Sequence, residues 1–270
     1  MKLLLVAFLL LVVTAPGAGA ASCGVDAEVL SGCPVLAPGD YAEIRTSTVV
    51  DVQPVTQVAR PAGSGCTLGA LLRDPRGRRY FTYAGHCAVP AATGAAVLDR
   101  GGHLVGTLAF AAYDHDRGVD IALIRVAAGR RTDPAVRGWG GPTGLLTGTA
   151  PAGAVRFSGS SAAGLAGQGR SSTTPGIDRS PAFRLGPEPV PGDSGSPVLL
   201  PDGRLAGEFI GYLNGSGDAD GEDSSGWVAG PTYAFRLDRQ IGLAARALGT
   251  RLTLLTAPLS TAAPGVGAQT

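Results

Sequence analysis

The chain alternates short runs of apolar residues with polar turns rich in glycine and proline, a pattern typical of many short β-strands. The run Tyr80–Tyr83 is one example, preceded by a predicted turn at Asp74–Gly77. The pattern predicts two sets of strands, each of about six. The first set comprises Thr46–Val58, Cys66–Arg73, Arg78–Tyr83, Ala95–Leu98, Leu104–Ala112 and Asp120–Val126, and the second Gly144–Thr149, Ala154–Ser158, Phe183–Leu185, Ser196–Leu200, Leu205–Tyr212 and Thr232–Leu237.

Three other segments complete this all-β prediction. Ala127–Pro142 is rich in turn-forming residues and is predicted to link the two sets of strands. Arg239–Leu248 contains no proline and has apolar residues at helical spacing, which predicts a short C-terminal helix. Arg251–Leu255 is predicted to form a last strand.

Composition narrows the class of protein. The 270 residues include 42 glycines and 20 prolines, as expected for short strands joined by turns. Only 16% of the residues are charged and the net charge is +1, so no nucleic-acid or membrane-surface partner is indicated. A hydrophobic content of 44% is too high for a chain disordered throughout.

The first residues have the pattern of a secretory signal peptide, predicted over Met1–Ala20. Lys2 supplies the positive charge, Leu3–Val13 the apolar stretch and Ala18–Ala20 the small-residue cleavage site. A membrane anchor is the alternative, but the apolar stretch is too short to span a bilayer. Lipidation at Cys23 is a second alternative. We therefore expect a secreted, extracellular protein.

Three motifs combine the residue types of nucleophilic catalysis. Ser194 lies in the glycine-rich stretch Gly192–Pro197, His86 follows a predicted strand, and Asp120 begins another. A serine hydroxyl needs an adjacent base to take its proton. His86 would be that base, and Asp120 would fix the imidazole tautomer. The amides of Gly192 and Ser194 could hold an oxyanion.

Each of these residues also has an ordinary structural interpretation. Ser194 could be a turn serine, His86 a histidine at a strand end and Asp120 a cap. Taken together, their order along the chain is one of the three in which Ser-His-Asp triads occur on unrelated folds.

The chain resembles the chymotrypsin-fold serine proteases, in particular the secreted bacterial branch that includes the streptogrisins. The resemblance covers residues 46–256 and implies two orthogonally packed six-stranded antiparallel β-barrels with a short C-terminal helix. Besides the three triad motifs it rests on Cys66–Gly69, Ala84–Cys87, Gly138–Gly140 and Pro231–Ala234.

The resemblance also implies a division of the chain. We expect a signal peptide (1–20), an N-terminal strap or short propeptide (21–45), an N-terminal barrel with His86 and Asp120 (46–140), a C-terminal barrel with Ser194 (141–256) and a low-complexity tail (257–270).

Four cysteines in an exported chain predict disulfides, and four allow three connectivities. We favour Cys66–Cys87, which brackets a predicted hairpin as the family's first disulfide does, together with Cys23–Cys33. A metal site formed by the first pair and His86 is the alternative, but the spacing fits no usual zinc pattern, so no metal is expected.

The family resemblance assigns a supporting role to Asp193. Relatives pair this aspartate either with a new N-terminus or, in bacterial proteins, with an internal arginine. Arg137, beside Gly138–Gly140, is the predicted partner, with a surface linker arginine as the alternative. A buried carboxylate without a cation would be strongly unfavourable.

The specificity pocket is the least determined part of the prediction. Glu188 occupies the position where an acid in the family selects Arg or Lys, and Tyr233 lies on the predicted floor. Tyr212 could narrow the pocket, and Glu208 is a second acid on a predicted wall strand. Ile210 falls near the position of a serine that supports the aspartate in relatives.

These observations predict a secreted serine endopeptidase that acts on polypeptides through an acyl-enzyme. We expect a monomer with no cofactor, no nucleic-acid partner and no membrane attachment after removal of the signal peptide. A weak or inactive binding protein on the same fold and an esterase-type serine hydrolase are the alternatives.

Overall fold

The computed structural model describes residues 33–45, 65–89, 91–114, 116–160, 169–186, 192–212 and 232–260, and at Tyr212 the backbone only. The predicted signal peptide and the predicted strand Thr46–Val58 lie outside the described residues. Within them the chain forms two β-sheets, an arrangement that confirms the all-β prediction.

The first sheet has eight strands, and every pairing in it is antiparallel. The strands are β1 (Tyr41–Arg45), β2 (Cys66–Thr67), β3 (Leu71–Arg73), β4 (Arg79–Tyr83), β5 (Ala96–Leu98), β6 (Leu104–Asp114), β7 (Val119–Val126) and β15 (Thr253–Leu254). Their order across the sheet is β15-β3-β4-β7-β6-β5-β1-β2.

The second sheet has seven strands. They are β8 (Gly144–Leu145), β9 (Gly153–Ser158), β10 (Gly169–Thr174), β11 (Ala182–Leu185), β12 (Pro197–Leu199), β13 (Arg204–Tyr212) and β14 (Thr232–Arg236). Six of them run in the order β10-β9-β12-β13-β14-β11, and β8 pairs in parallel with β13. The first sheet exceeds the predicted six strands because β1 and β15 join it and the predicted strand Cys66–Arg73 divides into β2 and β3. The second sheet gains β10, which the apolar pattern does not predict.

Turn chemistry explains the hairpin that brings β4 back alongside β3. The amide of Gly77 donates to the carbonyl of Asp74, and Gly77 has a φ of 80°, a conformation that glycine adopts without strain. The side chain of Asp74 accepts hydrogen bonds from the amides of Arg76 and Arg78. The predicted turn at Asp74–Gly77 is therefore stabilised by hydrogen bonds within its own residues and Arg78.

The described part of the chain includes two helices, α1 (Gly85–Ala88) and α2 (Leu237–Ala247). Helix α2 matches the predicted C-terminal helix but begins two residues earlier. Its buried residues are Leu237, Gln240, Ile241 and Ala244, a spacing that places one face of the helix on the core. No helix in this part of the chain is long and apolar enough to cross a membrane.

The hydrophobic core has three parts. One lies in the first sheet around Phe81 and Leu108, and one in the second sheet around Phe183 and Phe209. The third packs residues of both sheets against helix α2 and includes Ile121, Leu199, Leu205 and Ile241. This third cluster fixes the two sheets relative to each other.

Both ends of the described chain differ from the prediction. Tyr41–Arg45, at the end of the predicted strap, forms β1 and pairs with β2 and β5 of the first sheet. Residues 257–260, at the start of the predicted tail, are hydrogen-bonded to the linker: the amide of Ser260 donates to the carbonyl of Trp139. Backbone groups of both segments are paired, which their composition did not indicate.

Candidate active site

His86 is placed by a tight junction between strand β4 and helix α1. Gly85 lies so close to β6 and β7 that a Cβ there would strike the carbonyl oxygen of Ala112 and the amide of Ile121. The disulfide Cys66–Cys87, which agrees with the predicted pairing, ties α1 to β2. The imidazole is therefore held by backbone packing as well as by its own hydrogen bonds.

Asp120 is the second residue of β7 and is 2% exposed. Its Oδ1 accepts the backbone amide of His86 at 2.8 Å, and its Oδ2 lies 2.7 Å from His86 Nδ1. From helix α2, Gln240 accepts the Asp120 amide at 3.4 Å and donates to the carbonyl of Gly118 at 2.7 Å. The C-terminal helix thus braces the strand end that carries the carboxylate.

Ser194 lies between β11 and β12, in the second sheet. Its Oγ is 3.1 Å from His86 Nε2, so the structure brings His86, Asp120 and Ser194 into one hydrogen-bonded chain. Gly192 and Gly195 have φ values of 90° and 89° on either side of Asp193 and Ser194. The loop needs these glycines because other residues rarely adopt that conformation.

The first sheet also holds the loop around Ser194. The amide of Thr67 in β2 donates to the carbonyl of Ser194 at 2.8 Å, and the Thr67 hydroxyl donates to the carbonyl of Gly192 at 2.8 Å. A Cβ on Gly195 would strike the carbonyl of Thr67. The site therefore forms only where the two sheets meet.

The amides of Gly192 and Ser194 are the predicted oxyanion donors. Among the described residues neither amide donates a hydrogen bond to another residue. Amides free of such bonds could donate to an oxygen of a molecule bound beside the Ser194 hydroxyl.

The predicted partner of Asp193 is wrong. Asp193 is fully buried and pairs with Arg170 of β10, whose guanidinium lies 4.6 Å from the ring centre of Phe157. Arg137 instead pairs with Asp40 at 2.8 Å and donates to the carbonyl of Val35. Arg137 is held by the chain segment before β1, and the Asp40 carboxylate raises its pKa.

Arg170 reaches Asp193 because of strand pairing that the sequence did not reveal. In the β9–β10 register Arg170 lies opposite Phe157, and Gly159 just beyond has no side chain where the Asp193 carboxylate sits. The segment Gly169–Thr174 consists of glycine, arginine, serine and threonine, so it has no apolar alternation to mark it as a strand.

The predicted pocket residues are only partly within the described chain. Glu188 and the side chain of Tyr212 lie outside it. Tyr233 is half-buried on β14, with the guanidinium of Arg184 5.8 Å from its ring centre. Glu208 does not lie on a pocket wall: it is 2% exposed and its carboxyl contacts the hydroxyl of Thr82 in the other sheet.

Two further predictions concern the cysteines. Cys33 is disulfide-bonded, but Cys23 lies outside the described residues, so their pairing stays a prediction. Ligand atoms of Cys66, His86 and Cys87 lie within 4.8 Å of one another. The two sulfurs are joined to each other, so they offer no thiolate to a metal.

No protein-family model and no curated protein matches the sequence. Solved structures do match it. Protease A of Thermobifida fusca is 16% identical, with a TM-score of 0.51 over 82% of this chain and 100% of that one. A glutamic acid-specific serine protease, described as using a histidine triad in substrate binding, is 17% identical, with a TM-score of 0.52 over 81% of this chain and 100% of that one.

These similarities, at low identity, extend over most of the chain and define its architecture. The protein has the two-barrel chymotrypsin fold found in bacterial serine proteases, which confirms the resemblance and the fold class predicted from the sequence.

Proposed function

We propose that the chain is a secreted serine endopeptidase in which Ser194 is the nucleophile, His86 the general base and Asp120 the residue that orients the histidine. The observation that carries the proposal is the continuous hydrogen-bond chain from Asp120 Oδ2 through the His86 ring to Ser194 Oγ. The fold supports it, because proteases of this architecture have their active sites between the two barrels.

The hydrogen bonds define the direction of proton transfer. Because the Asp120 carboxylate can only accept, the proton of the neutral imidazole lies on Nδ1. The lone pair on Nε2 then faces the hydroxyl of Ser194. When Oγ attacks a peptide carbonyl carbon, His86 takes the hydroxyl proton, and Asp120 stabilises the imidazolium without taking that proton.

Collapse of the tetrahedral intermediate breaks the peptide C–N bond. His86 returns its proton to the leaving amine, and an acyl group remains as an ester on Ser194. Water, activated by the same imidazole, then releases the acid and restores the hydroxyl. The amides of Gly192 and Ser194 stabilise the oxyanion in both halves of the reaction.

The Arg170–Asp193 pair supports these donors. Asp193 lies between the two amides in sequence, and its carbonyl accepts the amide of Ser196 at 2.7 Å. Because its carboxylate is buried against Arg170, the backbone on both sides has one preferred position. We infer that this pair keeps the oxyanion donors in place before substrate binds.

The residue preference of the pocket remains a proposal. Glu188, Tyr212 and Tyr233 are our pocket residues, and an acid at the pocket base would favour Arg or Lys in the substrate. This preference can be tested with peptides that differ only in the residue before the cleaved bond, which is Arg, Phe, Leu or Glu. Equal rates on all four would remove the acidic-pocket assignment.

Processing and location complete the proposal. We infer export by a signal peptide over 1–20 and a mature, monomeric protein. Its first barrel extends the predicted range 46–140 by β1 (Tyr41–Arg45) and β15 (Thr253–Leu254), and its second barrel lies within the predicted range 141–256. The proteases it resembles in fold are bacterial, and polypeptides are the substrate class expected of such a cleft.

Hydrolysis of casein compared with that of a small ester tests the proposal. We expect the secreted protein to cleave both, and Ser194→Ala to cleave neither while keeping the wild-type circular dichroism. Ester hydrolysis without casein cleavage would favour the esterase alternative. Absence of both activities in folded wild-type protein would favour the binding protein.

A further inference from the structure

Glu208 is a buried acid between the two sheets, outside the groups that carry out the proposed reaction. It lies on β13 and is 2% exposed, and its Oε1 is hydrogen-bonded to the hydroxyl of Thr82 on β4. Its other oxygen, Oε2, is buried and has no hydrogen-bond partner among the described residues. A charged carboxylate would be strongly destabilised in this position.

The hydrogen bonds around Thr82 fit a protonated acid. The Thr82 hydroxyl has a single proton, and it also lies 3.4 Å from the carbonyl oxygen of Ala70, which can only accept. If Glu208 donates to the Thr82 oxygen, the hydroxyl proton is free to bond to that carbonyl. A neutral Glu208 therefore satisfies both contacts in one chain.

Electrostatic effects also favour the neutral form of Glu208. Burial is the main cause that raises the pKa of Glu208 to about 8; hydrogen bonds with the Thr82 hydroxyl and the Ala70 backbone oppose this rise, and the charge of Asp120 adds to it. Among the described residues, Asp120 on β7 is the charged group that acts electrostatically on Glu208. The neighbouring residues on β4, β12 and β14 are Thr82, Pro197 and Phe235, and none of them is titratable in this range.

The backbone connects this contact to the nucleophile. Phe209, next to Glu208, accepts the amide of Gly195 at 2.7 Å and donates to the carbonyl of Ser196 at 3.0 Å. These two residues directly follow Ser194. The position of β13 at Glu208 therefore sets the position of the serine loop.

Thr82, on the other side of this contact, is connected to His86, the proposed base. Thr82 lies four residues before His86, and it pairs with Leu123 on β7, the strand that carries Asp120. The contact between Glu208 and Thr82 thus joins the strand that holds the serine loop to the strands that hold His86 and Asp120.

We propose that Glu208, as a neutral acid hydrogen-bonded to Thr82, is a positioning residue that holds Ser194 at hydrogen-bonding distance from His86. The inference rests on the proposed function. When Glu208 ionises, its negative charge and that of Asp120 repel each other. Turnover is therefore supported below the pKa of Glu208 and declines above it.

Gly69 provides an independent way to displace the carboxyl. A Cβ on Gly69 would occupy the position of Glu208 Oε1 and would also strike the Thr82 hydroxyl. Gly69→Ala therefore disrupts the contact while leaving the acid in the chain. Gly153→Ala is the matched control, because a Cβ there meets no atom within 4 Å.

The test compares kcat and KM for a peptide substrate between pH 6 and pH 10 in wild type, Glu208→Gln and Glu208→Leu. We expect the wild-type kcat to fall as pH rises through about 8. Glu208→Gln, which cannot ionise but can still donate to Thr82, should keep a kcat near the wild-type value at pH 7 and lose that alkaline decline. Glu208→Leu and Gly69→Ala should lower kcat by about 10²-fold with little change in KM, because a small displacement of reacting groups has an effect of that size.

The outcomes separate this inference from the proposed function. An active wild type whose alkaline decline persists unchanged in Glu208→Gln overturns the role of Glu208 alone. A Glu208→Leu protein with wild-type kcat also overturns the role of Glu208. Folded wild-type protein that turns over no substrate overturns both proposals together. Glu208→Gln keeps the test decisive if Glu208→Leu does not fold.

Discussion

At the scale of single residues, the proposed chemistry depends on which atoms can donate. Asp120 has both oxygens occupied by His86, one by the backbone amide and one by the ring. This double contact fixes the ring orientation as well as its tautomer. The carboxylate therefore matters through geometry, although it does not touch the substrate.

Asp120→Asn tests this role. An amide at this position can donate to Nδ1, which would move the ring proton to Nε2 and leave no base facing Ser194. We expect kcat to fall by about 10⁴-fold at pH 7 with the fold retained. The change in kcat is measured by peptide hydrolysis, with circular dichroism as a folding control. A loss of kcat smaller than about tenfold would contradict the assigned role of Asp120.

Glu208 gives a second prediction at this scale, for stability rather than rate. Its pKa is raised from 4.5 to about 8 in the folded protein, so the folded state binds this proton more tightly than the unfolded state. Its contribution to stability is therefore complete below about pH 4.5 and is lost as pH rises to about 8.

Denaturant unfolding of wild type and Glu208→Gln at several pH values checks the sign. The difference in unfolding free energy between the two proteins should change by a few kcal/mol between pH 5 and pH 8, in the direction that disfavours wild type at high pH. A difference independent of pH would show that Glu208 titrates normally.

At the scale of elements, strand β10 contributes the cation that the buried Asp193 needs. Arg170→Ala removes that cation and leaves a buried charge, which we expect to destabilise the fold by about 3–5 kcal/mol. Loss of loop order should also lower kcat by about 10²-fold, as when an oxyanion donor is removed. Thermal or urea unfolding and peptide hydrolysis measure the two effects.

Arg137→Ala is the matched control for Arg170→Ala. Arg137 is also paired with an aspartate, but its side chain is 39% exposed, so its loss should cost about 1 kcal/mol or less and leave kcat unchanged. If Arg137→Ala impaired activity as much as Arg170→Ala, the assignment of Arg170 as the functional partner of Asp193 would fail.

The elements also show what the sequence could and could not predict. Strands such as β4 and β7 are buried between two parts of the core and therefore have continuous apolar runs. These runs can be recognised in the sequence. The sequence also indicates His86, Asp120 and Ser194 as candidates, because each lies at the edge of an apolar run, in a glycine-rich motif or at the start of a strand.

Contacts that depend on register were not predictable. Arg170 lies in a polar strand without alternation, and its partner is set by which residue of β9 it faces. Glu208 was assigned to a wall strand, but one residue of register decides which side of a strand a side chain faces. A single sequence contains no direct record of either pairing.

At the scale of the whole molecule, the site belongs to neither sheet alone. His86 and Asp120 come from the first sheet and Ser194 from the second, and Thr67 and Glu208 form hydrogen bonds between the sheets. The cluster that contains Ile121, Leu205 and Ile241 fixes that arrangement. Activity should therefore be lost in the same cooperative transition as tertiary structure.

The proposed export of the chain gives a prediction for the whole protein. We expect mass spectrometry of secreted material to show a first residue of Ala21, after removal of 1–20. A chain beginning at Cys23 with the added mass of a lipid would support the lipidation alternative. A chain that retains 1–20 in the medium would contradict the signal-peptide assignment.

The most direct test of the account is the reaction of Ser194 with phenylmethylsulfonyl fluoride. Only a serine whose proton is taken by a neighbouring base reacts readily with this reagent at neutral pH. We expect one adduct per folded molecule, located on Ser194 by peptide mass spectrometry, and none in His86→Ala. Folded wild-type protein that stays unlabelled at Ser194, or that labels equally well without His86, would contradict the claim that these side chains form a working relay.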